Sequence, residues 1–346
     1  MASSSRFVSA TITCIPRPQT EQNLPDDLSR ERGSCSYDLE LLNLIRQRQC
    51  GQEVDKVYSI LGLISQEVRA KIVVNYSVDH WTLFIRFAQE LLRHHGPDIF
   101  ILAPSAERTP ELPSWVPNLL SRPLMTHTWY KHKAGKLGEV TDLAPEYDIL
   151  GDGESCTVRL PGICMTIINN LHPLPDISAG IRSEATADEI LRVVGLCRTL
   201  SGQRGPKIEW NEHILTLIGG VIARRPELER PIKSEYEEMI QNLQTFVRGN
   251  QFDTPNTHLV QSFVDAWKGA CLFTAQGGYV GLGPRTIQRG DKICIFFGAA
   301  TPFVLRSKGD GDTNELLGPA YIHSFMDGTA FEARNPRETY DMFAIG

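Results

Sequence analysis

From Ala270 onward, short apolar runs alternate with glycine-bearing turns. The runs are Cys271 to Thr274, Tyr279 to Leu282, Lys292 to Phe297, Phe303 to Arg306 and Ala320 to Phe325. Between them lie Gln276-Gly277-Gly278, Gln288-Arg289-Gly290-Asp291 and Lys308-Gly309-Asp310-Gly311-Asp312. Apolar runs about 8–12 residues apart with turn residues between them predict an antiparallel β unit. A small barrel or sandwich is therefore expected over 271–330.

Upstream the apolar spacing turns helical. Leu83, Phe87 and Leu91 recur at i+4, flanked by Phe84, Ala88 and Leu92, a broad stripe that needs a core to cover it. Asp79 is a natural N-cap for this helix and Gly96-Pro97 a natural stop; His94 and His95 in its last turn read as cations complementing the helix dipole. A helix opening near Ser36 or Asp38 carries Leu41, Leu44 and Ile45 on one face, and Asp55 to Leu63 reads as a compact apolar helical turn ended by Gly62. Leu112-Pro113-Ser114-Trp115-Val116-Pro117 is a proline-bounded extended segment whose Trp plugs a core. Residues 121–155 read as a polar loop region, and Thr157 to Leu160 with Ile163 to Met165 as a strand pair. Four further helical patterns follow: Ile190, Val193, Val194 and Cys197 behind Asp188; Ile214, Leu217, Ile218 and Val221 behind Glu212; Met239, Ile240, Leu243 and Phe246 behind the capping box Ser234-x-x-Glu237; and Leu259, Val260, Phe263, Val264 and Trp267 behind Thr257.

Helices in the middle and strands at the end make the chain α+β. The expected division is a flexible lead-in over 1–36, rich in Ser, Pro, Arg and Glu; a mainly helical body over 37–270 with a short strand pair near 157–166; the β unit over 271–330; and a tail over 331–346.

Composition narrows the partners. The chain has 346 residues, 41% hydrophobic and 22% charged, enough to bury a sizeable core. A formal net charge of -6 argues against nucleic acid and against an anionic membrane, both of which reward clustered Lys and Arg. The N-terminus holds no stretch apolar enough for a signal peptide, so a cytoplasmic location is expected, and the acceptor triplet Asn75-Tyr76-Ser77 carries no weight there. The 8 cysteines stand at 14, 35, 50, 156, 164, 197, 271 and 294 with no Cys-x-x-Cys among them. They read as small buried hydrophobes, and no metal or cofactor is expected.

Candidate chemistry is sparse. Gly281-Leu282-Gly283 lacks the third glycine and following helix of a dinucleotide fingerprint, and Asp310-Gly311-Asp312-Thr313-Asn314 departs from a calcium loop at Glu315 and Tyr321. Cys294, with apolar neighbours on both sides, reads as an inert core thiol. Period-two alternation sets Tyr321, His323 and Phe325 on one strand face with Asp327 just beyond, so His323 and Asp327 form a candidate acid/base pair and Arg306 a candidate orienting group. The simpler account of His323 is a half-buried histidine satisfied by hydrogen bonding.

Several of these segments resemble the fungal heterokaryon-incompatibility (HET) domain proteins. Asp55-Lys56-Val57-Tyr58-Ser59-Ile60-Leu61-Gly62-Leu63, Tyr76-Ser77 and Leu112 to Pro117 resemble the region that follows the family's defining domain. Leu272-Phe273-Thr274, Gly278 to Pro284, Gly290-Asp291, Pro302 to Arg306 and Tyr321 to Gly328 resemble its C-terminal block in the same order. The Ala-Leu-Ser-Tyr-x-Trp-Gly opening of the HET domain is absent, so the resemblance implies a free-standing C-terminal module of filamentous-fungal origin. It implies a role in nonself recognition and supplies no catalytic residue. Two functions follow. One is a non-enzymatic module that binds a protein partner. The other is a cofactor-free cyclase or isomerase of secondary metabolism, acting on a small-molecule substrate through Arg306, His323 and Asp327.

Overall fold

A computed structural model describes residues 35–104, 108–124, 132–135, 147–151, 156–177, 184–201, 216–219, 241, 254–309, 313–336 and 338–346. The lead-in through residue 34, most of the segments around Glu212 and Ser234, much of 121–155 and the acidic turn 310–312 lie outside them.

Among the described residues there are eight strands: β1 (Asp148–Leu150), β2 (Thr157–Pro173), β3 (Ala270–Ala275), β4 (Val280–Pro284), β5 (Lys292–Phe296), β6 (Phe303–Ser307), β7 (Thr313–Pro319) and β8 (Asp341–Ile345). β2 pairs with β5, β5 with β6, β6 with β7, β7 in parallel with β8, and β8 with β2 again. That ring of five strands is a closed barrel, which leaves none of its edges open. Two of its staves lie outside the 271–330 stretch. β2 belongs to the middle of the chain, and β8 falls in the stretch expected to be a tail. The far end of β2 continues into a second sheet with β3 and β4.

Alternate residues of all five staves face one common core: Val158 and Leu160, Cys294 and Phe296, Phe303 and Leu305, Leu316, Phe343 and Ile345. Phe100 reaches into this core from a 3₁₀ segment, Gly96–Leu102, and packs edge-on against Phe296 and Phe303 with ring centroids 6.0 and 5.8 Å away. Trp115 joins it at 6.4 Å and donates its indole N–H to the Cys156 carbonyl at 3.1 Å. Both side chains are fully buried, each contributing on the order of 1.5–3 kcal/mol by leaving water. Trp115 is thus the core plug expected of its segment.

The expectation of a mainly helical body does not hold: helix accounts for 35% and strand for 25%. The helices are α1 (Cys35–Arg46), α2 (Asp55–Tyr58), α3 (Gln66–Arg69), α4 (His80–His95), α5 (Glu184–Ser201), α6 (Thr254–Trp267) and α7 (Thr329–Glu332). Between them run turns whose carbonyls are satisfied by buried cations instead of by further helix. Arg46 donates to the carbonyls of Ser121, Leu102 and Pro104 at 3.0, 2.7 and 3.3 Å. Burial pulls its pKa down to about 10, which leaves it protonated at neutral pH. Lys56 donates to the carbonyls of Ile45 and Arg46 at 2.9 and 3.4 Å and also to that of Arg48, closing the C-terminal end of α1.

α4 is bounded as its sequence requires. Asp79 accepts from the Thr82 backbone N–H at 2.9 Å, hydrogen bonding from the Thr82 side chain and then its backbone pulls the Asp79 carboxyl below the usual range, and Gly96 ends the helix at φ +71°. His95 has a more specific role than dipole compensation, because its Nε2 lies 2.7 Å from the fully buried Asp38. α5 and α6 form a second core with Leu272, Val280, Leu282, Tyr321 and Met326, in which Trp267 donates to the Leu217 carbonyl at 3.0 Å. The strand expected over Ala320 to Phe325 is reduced to a bridge between Leu282 and Tyr321 followed by a 3₁₀ turn, His323–Phe325.

Gly162 sits where β5 and β8 both meet β2. A Cβ there would lie 2.7 Å from the Ile295 carbonyl oxygen and 2.9 Å from Phe296 Cδ1. Gly162→Ala is expected to cost about 1–3 kcal/mol in urea denaturation. Gly62→Ala, with nothing within 4 Å of the added methyl, serves as the control. Equal midpoints for the two variants would mean that the barrel relaxes at this junction.

Candidate functional site

The three residues singled out in the sequence occupy separate local structures. Arg306, on β6, donates through Nε and Nη2 to the two oxygens of Asp291 at 3.0 and 2.8 Å, and through Nη2 to the Thr286 carbonyl at 2.9 Å. Asp291 is almost fully buried and also accepts from the Gln288 N–H at 2.6 Å. Gly290, at φ +95°, lets the chain turn so that its N–H reaches the Ile168 carbonyl at 2.9 Å. The hydrogen bonds to Asp291, and then its charge and that of Glu315, raise the Arg306 pKa against the effect of burial. The pair is a fork-to-fork clamp that fixes the β4–β5 turn on β6.

Asp327 is exposed, and its Oδ1 accepts from the Thr329 N–H at 3.0 Å and the Thr329 hydroxyl at 2.7 Å, opening α7. Both contacts hold the turn that leads into α7. His323 is half-buried, and its Nδ1 lies 3.1 Å from the Tyr321 hydroxyl. The His132 ring packs edge-on against Tyr321 at 5.6 Å. This is the hydrogen-bonded arrangement of the simpler reading. Among the described residues no group of three or more His, Cys, Asp or Glu is placed to hold a metal ion, and no helix is long and apolar enough to cross a membrane.

A different place draws attention on the surface. The Tyr58 hydroxyl, on α2, donates to the Asn75 carbonyl at 2.9 Å and accepts from the Asn75 N–H at 3.0 Å. The Tyr76 hydroxyl donates to Asp55 at 3.0 Å, which pushes the phenol pKa up, and the two tyrosine rings meet edge-on at 5.3 Å. Ser77 N–H donates to the Asn75 side chain at 2.9 Å, completing an Asx turn. The segment so braced presents Val73, Val74 and Tyr76 to solvent at 80%, 55% and 57% exposure. The fixed backbone carries adjacent apolar side chains that no described contact covers, an arrangement suited to binding. Its supporting residues Asp55, Tyr58, Tyr76 and Ser77 are legible in the sequence as motif residues. Their meeting is not, because 17 residues separate Tyr58 from Asn75.

If the Asp291–Arg306 clamp holds the turn as a unit, Asp291→Asn and Arg306→Lys should each cost about 1–3 kcal/mol, since neither substitute reproduces a bidentate charged pair. The double variant should then lose well under the sum of the two. Chemical denaturation of all four proteins gives the coupling, and strict additivity would show that the two side chains act independently.

Comparison with known proteins places this geometry. The Het-6 beta-barrel domain matches residues 253–343. Heterokaryon incompatibility protein 6, OR allele, of Neurospora crassa is 24% identical over 355 aligned positions, covering 83% of this chain and 50% of that protein. The chain therefore spans about half the length of the curated relative it matches. No solved structure matches. The matched domain takes in β3 to β7 and most of β8, and leaves out β2, the stave that closes the ring. Residues 253–343 thus match a Het-6 beta-barrel domain, and the chain is similar to a heterokaryon-incompatibility protein over most of its length.

Proposed function

We propose that this chain is a non-enzymatic interaction module of the heterokaryon-incompatibility type, acting in nonself recognition by binding a protein partner through the Val73–Tyr76 segment. The observation that carries the reading is the braced, exposed apolar surface itself. The barrel core is filled by phenylalanines, and Arg306 and Asp327 spend hydrogen bonds on turns, which supports a scaffolding role for that half of the chain. The partner is expected to be a protein with an apolar counter-surface. A net charge of -6 and Asp55 at the margin of the segment disfavour anionic lipid and nucleic acid.

The test compares wild type with Val73→Asp/Val74→Asp, expressed from one locus in a filamentous fungus and paired with strains of differing incompatibility type. Both positions are exposed, so thermal melts of the purified proteins should coincide, within about 0.5 kcal/mol for each site. Wild type should change the fusion outcome and the double variant should not. A double variant as active as wild type overturns the surface assignment. A His323→Gln protein with an unchanged melt and no fusion phenotype would transfer the function to chemistry at His323. Binding of wild type to phosphatidylserine vesicles, lost in the double variant, would make the partner a membrane.

A further inference from the structure

Cys164 and Cys294 are 130 positions apart in the sequence, and the barrel sets them directly opposite each other: Cys164 on β2 is the register partner of Cys294 on β5. In either kind of antiparallel pair, facing Cα atoms stand about 4.5–5.5 Å apart. A disulfide accepts about 4.4–6.8 Å. As register partners across an antiparallel pair their side chains lie on one face, close enough for each thiol to affect the other's ionisation. A bulge immediately after Cys164, between it and Thr166, frees that residue from strict ladder geometry.

The two sulfurs differ in their surroundings. Cys164 is partly exposed, whereas Cys294 is fully buried. The Cys294 thiol donating to it, then the nearby Lys292 ammonium and the Thr166 backbone, bring the Cys164 thiol down to about 7, against the opposing effects of burial and Asp341. Burial first, then the neighbouring Cys164, push the Cys294 thiol well above its usual value. One sulfur is thus reachable and poised as a thiolate, and the other is a proton-bearing thiol beside it. That is the division between an attacking and a resolving cysteine.

We propose that Cys164 and Cys294 form an oxidation site that reacts with hydroperoxides and closes to a reversible cross-strand disulfide within the barrel. The Cys164 thiolate attacks one peroxide oxygen. An S–O bond forms, the O–O bond breaks, and the departing hydroxide (or alkoxide) is protonated. Cys294 then attacks the sulfenic sulfur, an S–S bond forms as the S–O bond breaks, and the leaving hydroxide takes the Cys294 proton and departs as water. Two thiols lose two electrons to one hydroperoxide, which is reduced to water and, for an organic peroxide, its alcohol. Dithiothreitol restores both thiols.

The experiment treats the purified full chain with hydrogen peroxide near neutral pH and maps its peptides without reduction. The expected product is a Cys164–Cys294 linked peptide, two hydrogens lighter than its parts and absent after dithiothreitol. Cys294→Ser should halt the reaction at the sulfenic acid and raise dimedone labelling of Cys164 well above wild type. Alkylation of Cys164 by iodoacetamide in the wild-type protein should rise through a midpoint at pH about 7. The proposal is overturned if peroxide leaves Cys164 reduced, if it drives Cys164 to sulfinic acid without the cross-link, or if the linked peptide joins other cysteines. The wild-type map needs no variant, so a poorly folding Cys294→Ser leaves the test intact.

Discussion

The architecture depends on β2. At 17 residues it is far longer than any other strand, and it pairs with β1, β3, β5 and β8. Its first half is a stave of the closed barrel and its second half the first strand of the β3–β4 sheet. A strand of that length stays ordered only if each portion of each edge finds a partner, because an unpaired row of N–H and C=O groups loses its hydrogen bonds to water without replacement. The bulges after Cys164 and after Ile168 let it bend from one sheet into the other without breaking the ladder. Gly162 is the point where β5 and β8 both meet it, and a side chain there would collide with the β5 backbone.

That dependence explains how much of the fold the sequence conveys. The repeated short strands after Ala270 are legible because each follows the local rule of an apolar run ended by a turn: β3 to β6 fall where the runs predict them, whereas β7, Thr313–Pro319, precedes the run read at Ala320 to Phe325. β2 is read as a short pair near 157–166 because Pro161 and Gly162 interrupt the apolar pattern. They are tolerated because β5 and β8 close on either side. β8, Asp-Met-Phe-Ala-Ile, is as short as β4 to β6 but stands outside their repeated run-and-turn pattern; its Phe343 and Ile345 gain meaning only from the core they enter. Ala320 to Phe325 errs in the opposite direction. Its alternation is that of a strand, but only Tyr321 finds a partner, Leu282, and the chain turns away at His323.

The site is less legible for the same reason. Sequence spacing favours residues close together in the chain, and so it selects His323 with Asp327. The polar contacts that matter span long intervals: Asp38 with His95, Arg46 with three carbonyls 56 to 75 residues away, Asn75 with Tyr58. Residues of the segments that resemble the incompatibility proteins hold the fold together as well. Lys56 closes α1, Trp115 fills the barrel core, and Asp291 holds Arg306. The resembling segments therefore include residues that hold this fold together.

The same logic sets the Val73–Tyr76 surface apart from the buried clamps. A residue recruited into a buried clamp is constrained by its partner, and changing it alters stability before anything else. Val73 and Val74 have no such constraint, because their exposure leaves folding nearly indifferent to them. Their side chains nevertheless stand on a backbone that Tyr58 and Asp55 hold in place. Ordering that segment before a partner arrives removes part of the entropy that association would otherwise have to overcome. The braced segment is thus held in place by its polar contacts, while its exposed side chains can change with little effect on folding.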